Sequence, residues 1–137
     1  MNLDRPVRDL MTADPRTVSL TDALTDVHTF MLNGGFHHVP VVEGPRLVGM
    51  LSATDMMAVL RDLPPELADT GVVLDESRTV ATLMTRQVET LDEQATLRDA
   101  AELFATGRFH ALPIVRGGDL VGILTTTDLI RSALAQS

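Results

Sequence analysis

Two short stretches combine a hydroxyl and a carboxylate three residues apart: Ser52-Ala53-Thr54-Asp55 and Thr125-Thr126-Thr127-Asp128. Each follows an apolar run ending in glycine and leucine, "LVGML" and "LVGIL", and each precedes residues patterned as a helix. A strand thus ends and a helix begins at the Ser or Thr. The free N–H groups and partial positive charge of a helix N-terminus suit a phosphate. A carboxylate there can accept hydrogen bonds from two neighbouring sugar hydroxyls. The same spacing also satisfies a capping box, worth roughly 1 kcal/mol with no ligand at all. A Ser or Thr oxygen can cap through one lone pair and meet a ligand through the other, so the two readings are compatible.

These stretches lie 73 residues apart, and the offset holds without a gap from 5–57 to 78–130. Leu10-Met11-Thr12 recurs as Leu83-Met84-Thr85, Phe36-His37 as Phe109-His110, Leu47-Val48-Gly49 as Leu120-Val121-Gly122, and Thr54-Asp55 as Thr127-Asp128. The chain is a tandem duplication, expected to leave no room for a third domain. Each copy begins with a short extended piece, "RTV" at 16–18 or "ETL" at 89–91. A first helix follows, capped by Ser19 or Asp92, with Gly34 or Gly107 as its stop. Then come a hairpin turning on "EGP" or "RGG" and a second helix carrying Met56, Met57 and Leu60, or Leu129, Ile130, Ala133 and Leu134. The fold class is therefore α+β: two tandem β-α-β-β-α repeats, 1–61 and 78–137, joined by a linker at 62–77 whose Pro64 and Pro65 end the preceding helix. A repeat of this size covers too little apolar surface to stand alone. Packing the two about a pseudo-twofold axis would bury the hairpin faces and create two equivalent clefts.

The order, spacing and duplication of these motifs resemble a tandem pair of cystathionine-β-synthase (CBS) domains, a Bateman module, over nearly the whole chain. The resemblance implies regulatory binding of an adenosine-containing ligand (AMP, ADP, ATP or S-adenosylmethionine) in clefts between the repeats, with no required cofactor. It implies homodimerisation as well. On the matching positions it assigns Asp55 and Asp128 to the ribose. Ser52 and Thr125 fall near the phosphate, beside Thr54 and Thr127. Thr17-Val18 and Thr90-Leu91 fall near adenine, and His37 and His110 near phosphate. Val39 and Leu112 line the same walls, although ordinary core packing describes them equally well. His38, replaced by Ala111 in the second copy, has no symmetric role, and His28 is expected on the exposed flank of its helix.

The copies differ at Arg16/Glu89, Gly35/Arg108 and Arg46/Asp119, which predicts clefts that do not bind alike. Arg5, Arg78, Arg108, Arg131, His37, His38 and His110 are the cations available to phosphate, a short list that favours AMP or S-adenosylmethionine over ATP. The formal charge of −8 disfavours nucleic acid as a partner. Cysteine is absent, which excludes thiolate chemistry and disulfides. No lysine, GxSxG elbow, HExxH pair or phosphate-cradling Gly-rich lysine loop occurs, so the chain reads as a non-enzyme, and no metal is expected. The charged N-terminus and the lack of a long apolar run predict a cytoplasmic protein with no membrane segment. Function then rests on a stand-alone sensor that signals to an effector protein. The alternative is a ligand-free dimerisation or assembly module.

Overall fold

A computed structural model describes residues 2–35, 37–62 and 79–136. In chain order, a 3₁₀ turn (Val7–Asp9) is followed by β1 (Thr12–Ala13), β2 (Val18–Ser19), α1 (Leu24–Gly34), β3 (His38–Glu43), β4 (Arg46–Ser52) and α2 (Ala53–Asp62). After 63–78 come α3 (Val80–Leu83), β5 (Leu91–Asp92), α4 (Leu97–Ala105), β6 (Ala111–Arg116), β7 (Asp119–Thr125) and α5 (Thr126–Ala135). The expected α+β order is present in both copies. Apart from Asp62, which ends α2, the linker with its Pro64 and Pro65 lies outside the described residues, as do Phe36 and Arg78.

The compact units cross the repeat boundaries. Unit I comprises Arg16–Gly44 and Val48–Val88; unit II comprises Met1–Pro15, Pro45–Leu47 and Glu89–Ser137. The segment heading each repeat therefore packs on the other repeat's unit. In unit II, Val7 donates its N–H to the Ala95 carbonyl (2.7 Å), and Leu97 and Arg98 donate to the carbonyls of Arg5 and Leu3 (2.8 and 2.9 Å). Thr12 and Ala13 then pair antiparallel with Ile123 and Gly122 of β7. In unit I, Met50 and Thr85 exchange both backbone hydrogen bonds (3.0 and 2.8 Å). The repeated Leu-Met-Thr triplet and the repeated Leu-Val-Gly triplet are two halves of this contact. A Cβ on Gly49 would lie 2.6 Å from the Met84 sulfur, and one on Gly122 would collide with the sulfur of Met11. Only glycine lets the thioether lie against the strand.

Each unit has its own apolar core. In unit I, Val18, Leu24, Val27, Met31, Val39, Val41, Leu51, Met56, Val80 and Met84 are buried together. In unit II the cluster is Val7, Leu97, Ala100, Leu112, Ile114 and Leu124. The parallel pairing of β2 with β3 (Val18↔Val41) matches that of β5 with β6 (Leu91↔Ile114), so each short first strand lies alongside its hairpin.

Three local expectations need correction. Ser19 does not cap α1, which starts at Leu24 behind Ala23, a residue with no side-chain acceptor. Ser19 and Asp22 instead close a turn, the Ser19 N–H donating to Asp22 Oδ2 at 2.8 Å. Asp92 does not cap α4 either: Thr96 does, in a full capping box with Asp99. Thr96-x-x-Asp99 wins because it stands directly before the first buried apolar residue, Leu97. Finally, Gly34 is the last helical residue of α1, and Gly35, at φ 65°, takes the left-handed cap that glycine adopts without steric cost. In the second copy Gly107 (φ 78°) retains that conformation, so α1 is the longer helix.

Candidate functional site

Within unit I the chemistry-bearing residues converge on one end of the sheet. Strand β2 runs parallel to β3 with Val18 opposite Val41, so Thr17 falls level with Pro40, two residues into β3 from His38. Strand β4 returns antiparallel and delivers Ser52 to the same end. There the Ala53 N–H donates to the His37 carbonyl at 2.9 Å, which ties the start of α2 to the start of β3. Unit II repeats this with Thr90, His110 and Thr125: the Thr126 N–H donates to the His110 carbonyl at 3.0 Å, and Ala111 pairs with Thr125.

At each helix start the capping box is closed. Asp55 donates its N–H to Ser52 Oγ (3.0 Å), and Ser52 donates its N–H to Asp55 Oδ2 (3.1 Å). Asp128 and Thr125 make the same exchange at 3.1 and 2.9 Å. Both aspartates are half-buried, and the boxes hold their carboxylates in one rotamer. One oxygen of each remains without a hydrogen bond among the described residues. Each carboxylate therefore keeps an oriented acceptor that can receive a hydroxyl pair, and Thr54 and Thr127 stand exposed in the first turn beside it.

The structure sorts the other candidates by exposure. Thr17, His37 and His110 are exposed, and Thr90 and Leu91 are half-buried at the same edge. Val18, Val39 and Leu112 are buried in their cores, so near this edge they offer backbone groups rather than side chains. Arg5 is engaged with Asp9 (3.4 Å), Arg108 lies 5.5 Å over the Phe109 ring, and Arg131 is exposed three residues beyond Asp128. The Arg46/Asp119 difference carries no information about ligand. These two residues are register partners in unit II, at the hairpin end, with the Arg46 guanidinium against Gly118. His28 also departs from expectation: it is half-buried and lines a hollow between α1 and α2. The recurrence of apolar Met56-Met57 and Leu129-Ile130 in both copies was the only sequence signal for that surface.

Among the described residues, the electrostatically perturbed pair stands elsewhere. Glu93 accepts a two-pronged contact from Arg116 (2.6 and 2.9 Å). The guanidinium holds the Glu93 carboxyl below its ordinary range and itself titrates higher than usual. Arg116 closes β6 at the end opposite His110, so the pair fastens unit II rather than serving the site. Among the described residues, no group of His, Asp or Glu is placed to hold a metal ion, and no helix is long and apolar enough to cross a membrane.

Comparison with known proteins matches this architecture. The family model described as "CBS domain" matches residues 7–62 and 80–135. Protein MJ1225 of Methanocaldococcus jannaschii is 31% identical over 128 residues, which is 91% of this chain and 46% of that protein. Its crystal structure superposes with a TM-score of 0.81. The chain thus spans about half of that relative's length. The CBS domain-containing protein YhcV of Bacillus subtilis is 30% identical over 123 residues, 90% of this chain and 81% of YhcV. The crystal structure of CBSX2 in complex with AMP superposes with a TM-score of 0.80 at 28% identity, covering 96% of this chain and 98% of that one.

Proposed function

The chain belongs to the CBS domain family, and from that membership we propose that it is a regulatory module that binds an adenosine-containing ligand. AMP, ADP, ATP and S-adenosylmethionine are the candidates. The ligand is read at the sheet end of each unit, with Asp55 or Asp128 receiving the ribose hydroxyls and the first turn of α2 or α5 receiving a phosphate. Thr17 and Thr90 flank the base, and His37 and His110 flank the phosphate. The observation that carries this reading is the oriented, half-buried carboxylate with one oxygen left over, built identically in both units. CBSX2, an AMP complex, supports the ligand class. A bound ligand alters the conformational equilibrium of the module only as far as its affinity differs between states, and an effector protein reads that shift. Two copies associate through apolar helix surfaces. The scarcity of cations around the site favours AMP or S-adenosylmethionine over ATP.

Closed capping boxes favour a second reading, since they complete the helix starts without any ligand. In that case the chain is a ligand-free assembly module. Thermal unfolding against a panel of AMP, ADP, ATP and S-adenosylmethionine separates the two. A ligand at about a hundred times its Kd adds about 2.7 kcal/mol, a shift of several degrees. Asp55→Ala and Asp128→Ala each lower the baseline by about 1 kcal/mol through the lost cap. The variant that also abolishes the ligand-induced increment identifies the occupied unit. A chain freed of co-purified ligand that shifts with no member of the panel establishes the assembly reading.

A further inference from the structure

On unit I, α1 and α2 enclose a hollow of about 110 Å³ lined by His28, Met31, Leu32, Ala53, Met56 and Met57. Three of these side chains are thioethers and a fourth is an imidazole. His28 is half-buried and has no hydrogen-bond or ion-pair partner among the described residues. Met31 and Met56 are 4% and 2% exposed, whereas Met57 stands at the rim, 67% exposed. Apolar packing alone does not require this set. Shifted by 73 residues, the positions of His28, Met31, Met56 and Met57 are filled by Ala101, Phe104, Leu129 and Ile130. Unit II thus builds the matching helices with hydrocarbon only, and every nitrogen and sulfur donor falls on unit I.

We propose that the hollow of unit I is a binding site for a soft monovalent cation, Cu(I), held by the His28 imidazole and the sulfurs of Met31, Met56 and Met57. The donor chemistry selects the ion. Thioether sulfur suits Cu(I) and imidazole suits copper, whereas hard cations need carboxylates, and no carboxylate lines this hollow. With neutral donors, the ion keeps its full charge among apolar walls. The cost of burying charge rises with its square, which favours a monovalent ion over zinc. Helix geometry lets the donors meet. His28 and Met31 are three residues apart on α1 and so share a face. Ala53, one turn before Met56 and Met57, leaves room between the helices. Three rotatable bonds let each methionine swing its sulfur toward an ion. Asp55 lies two positions from both Ala53 and Met57, about 200° round the helix, so the carboxylate of the sheet-end site faces elsewhere. The cation site is therefore separate from the adenosine reading and does not depend on it.

The chain contains no cysteine, so no thiolate competes for a soft probe. Ag(I), a redox-inert stand-in for Cu(I), is titrated as its nitrate into chloride-free protein isotope-labelled at the methionine methyls. The expected result is saturation at an equimolar amount. The methyl signals of Met31, Met56 and Met57 move together, while those of Met11, Met50 and Met84 stay in place. His28→Ala and Met57→Ile, the second of which copies Ile130 of unit II, should each weaken binding about tenfold or more. With ascorbate present, the wild-type chain should also withdraw Cu(I) from a chromogenic chelator, read as loss of its visible absorbance. Methyl shifts spread evenly over all the methionines, no shifts at all, or a Met57→Ile chain that binds Ag(I) as tightly as wild type overturns the site. Undiminished chelator colour, or Zn(II) moving the same methyls as readily as Ag(I), overturns the choice of ion. None of these readouts involves an adenosine-containing ligand, so their failure leaves the adenosine reading standing, and the failure of that reading leaves this one standing.

Discussion

Gly49→Ala tests whether the segment heading the second repeat packs on β4 within unit I. The new methyl would lie 2.6 Å from the Met84 sulfur, 3.0 Å from its Cγ and 2.9 Å from the Thr85 carbonyl oxygen. The thioether can swing away, because methionine has three rotatable bonds. The carbonyl cannot retreat easily, since the Thr85 carbonyl accepts from Met50 N–H and the Thr85 N–H donates to the Met50 carbonyl. Overpacking of this kind costs about 1–3 kcal/mol. For a chain of this length that lowers the melting temperature by about 4–10 °C. Met84→Ala alone costs about 2 kcal/mol or more, because that side chain is buried. In the double variant the sulfur contact is gone, so the combined loss falls short of the sum by about 1 kcal/mol. Thermal and urea unfolding of the four proteins gives this coupling. If Gly49→Ala stays within about 0.5 kcal/mol of wild type, or the two losses simply add, the contact between residues 80–88 and β4 does not exist as described.

Ala23→Thr, which copies Thr96 into the first repeat where Asp26 already occupies the matching position of Asp99, should stabilise the protein by about 1 kcal/mol in urea unfolding. Val7→Ala should cost about 2 kcal/mol, since Val7 is wholly buried in unit II's core; a neutral result would detach the N-terminal segment from that unit. The Glu93 carboxyl titrates lower in the folded protein than in the unfolded chain, so its contribution is present above the ordinary glutamate pKa and fades as pH falls through the folded value. Glu93→Gln should therefore narrow the stability difference between neutral and acid pH, as read from melting temperatures across that range.

Much of the fold was legible in the sequence because duplication writes each signal twice. The strand-helix junctions at Ser52 and Thr125 were read from a hydroxyl, a carboxylate and an apolar run, all within six residues, and local hydrogen bonding decides such junctions. The caps of α1 and α4 are not fixed by local spacing, for a related reason. Several Ser, Thr and Asp residues compete before each helix, and the winner is set by which apolar residue first reaches the core, Leu24 or Leu97, a tertiary fact. The difference at Arg46 and Asp119 resembled a specificity signal until strand register placed the two residues opposite each other. Linear spacing carries no record of which strands become neighbours.

The sequence by itself determined the duplicated α+β order, the two capped helix starts and the carboxylate at each, because these depend on interactions within a few residues. Tertiary structure alone decided that each repeat completes its core with the other repeat's leading segment. It also decided which valines near the site are buried, and that Met57, Ile130 and Leu134 face outward although their sequence pattern is as apolar as any core helix. Hydrophobic periodicity says that a face seeks cover, but the chain's long-range packing decides whether that cover comes from the same molecule.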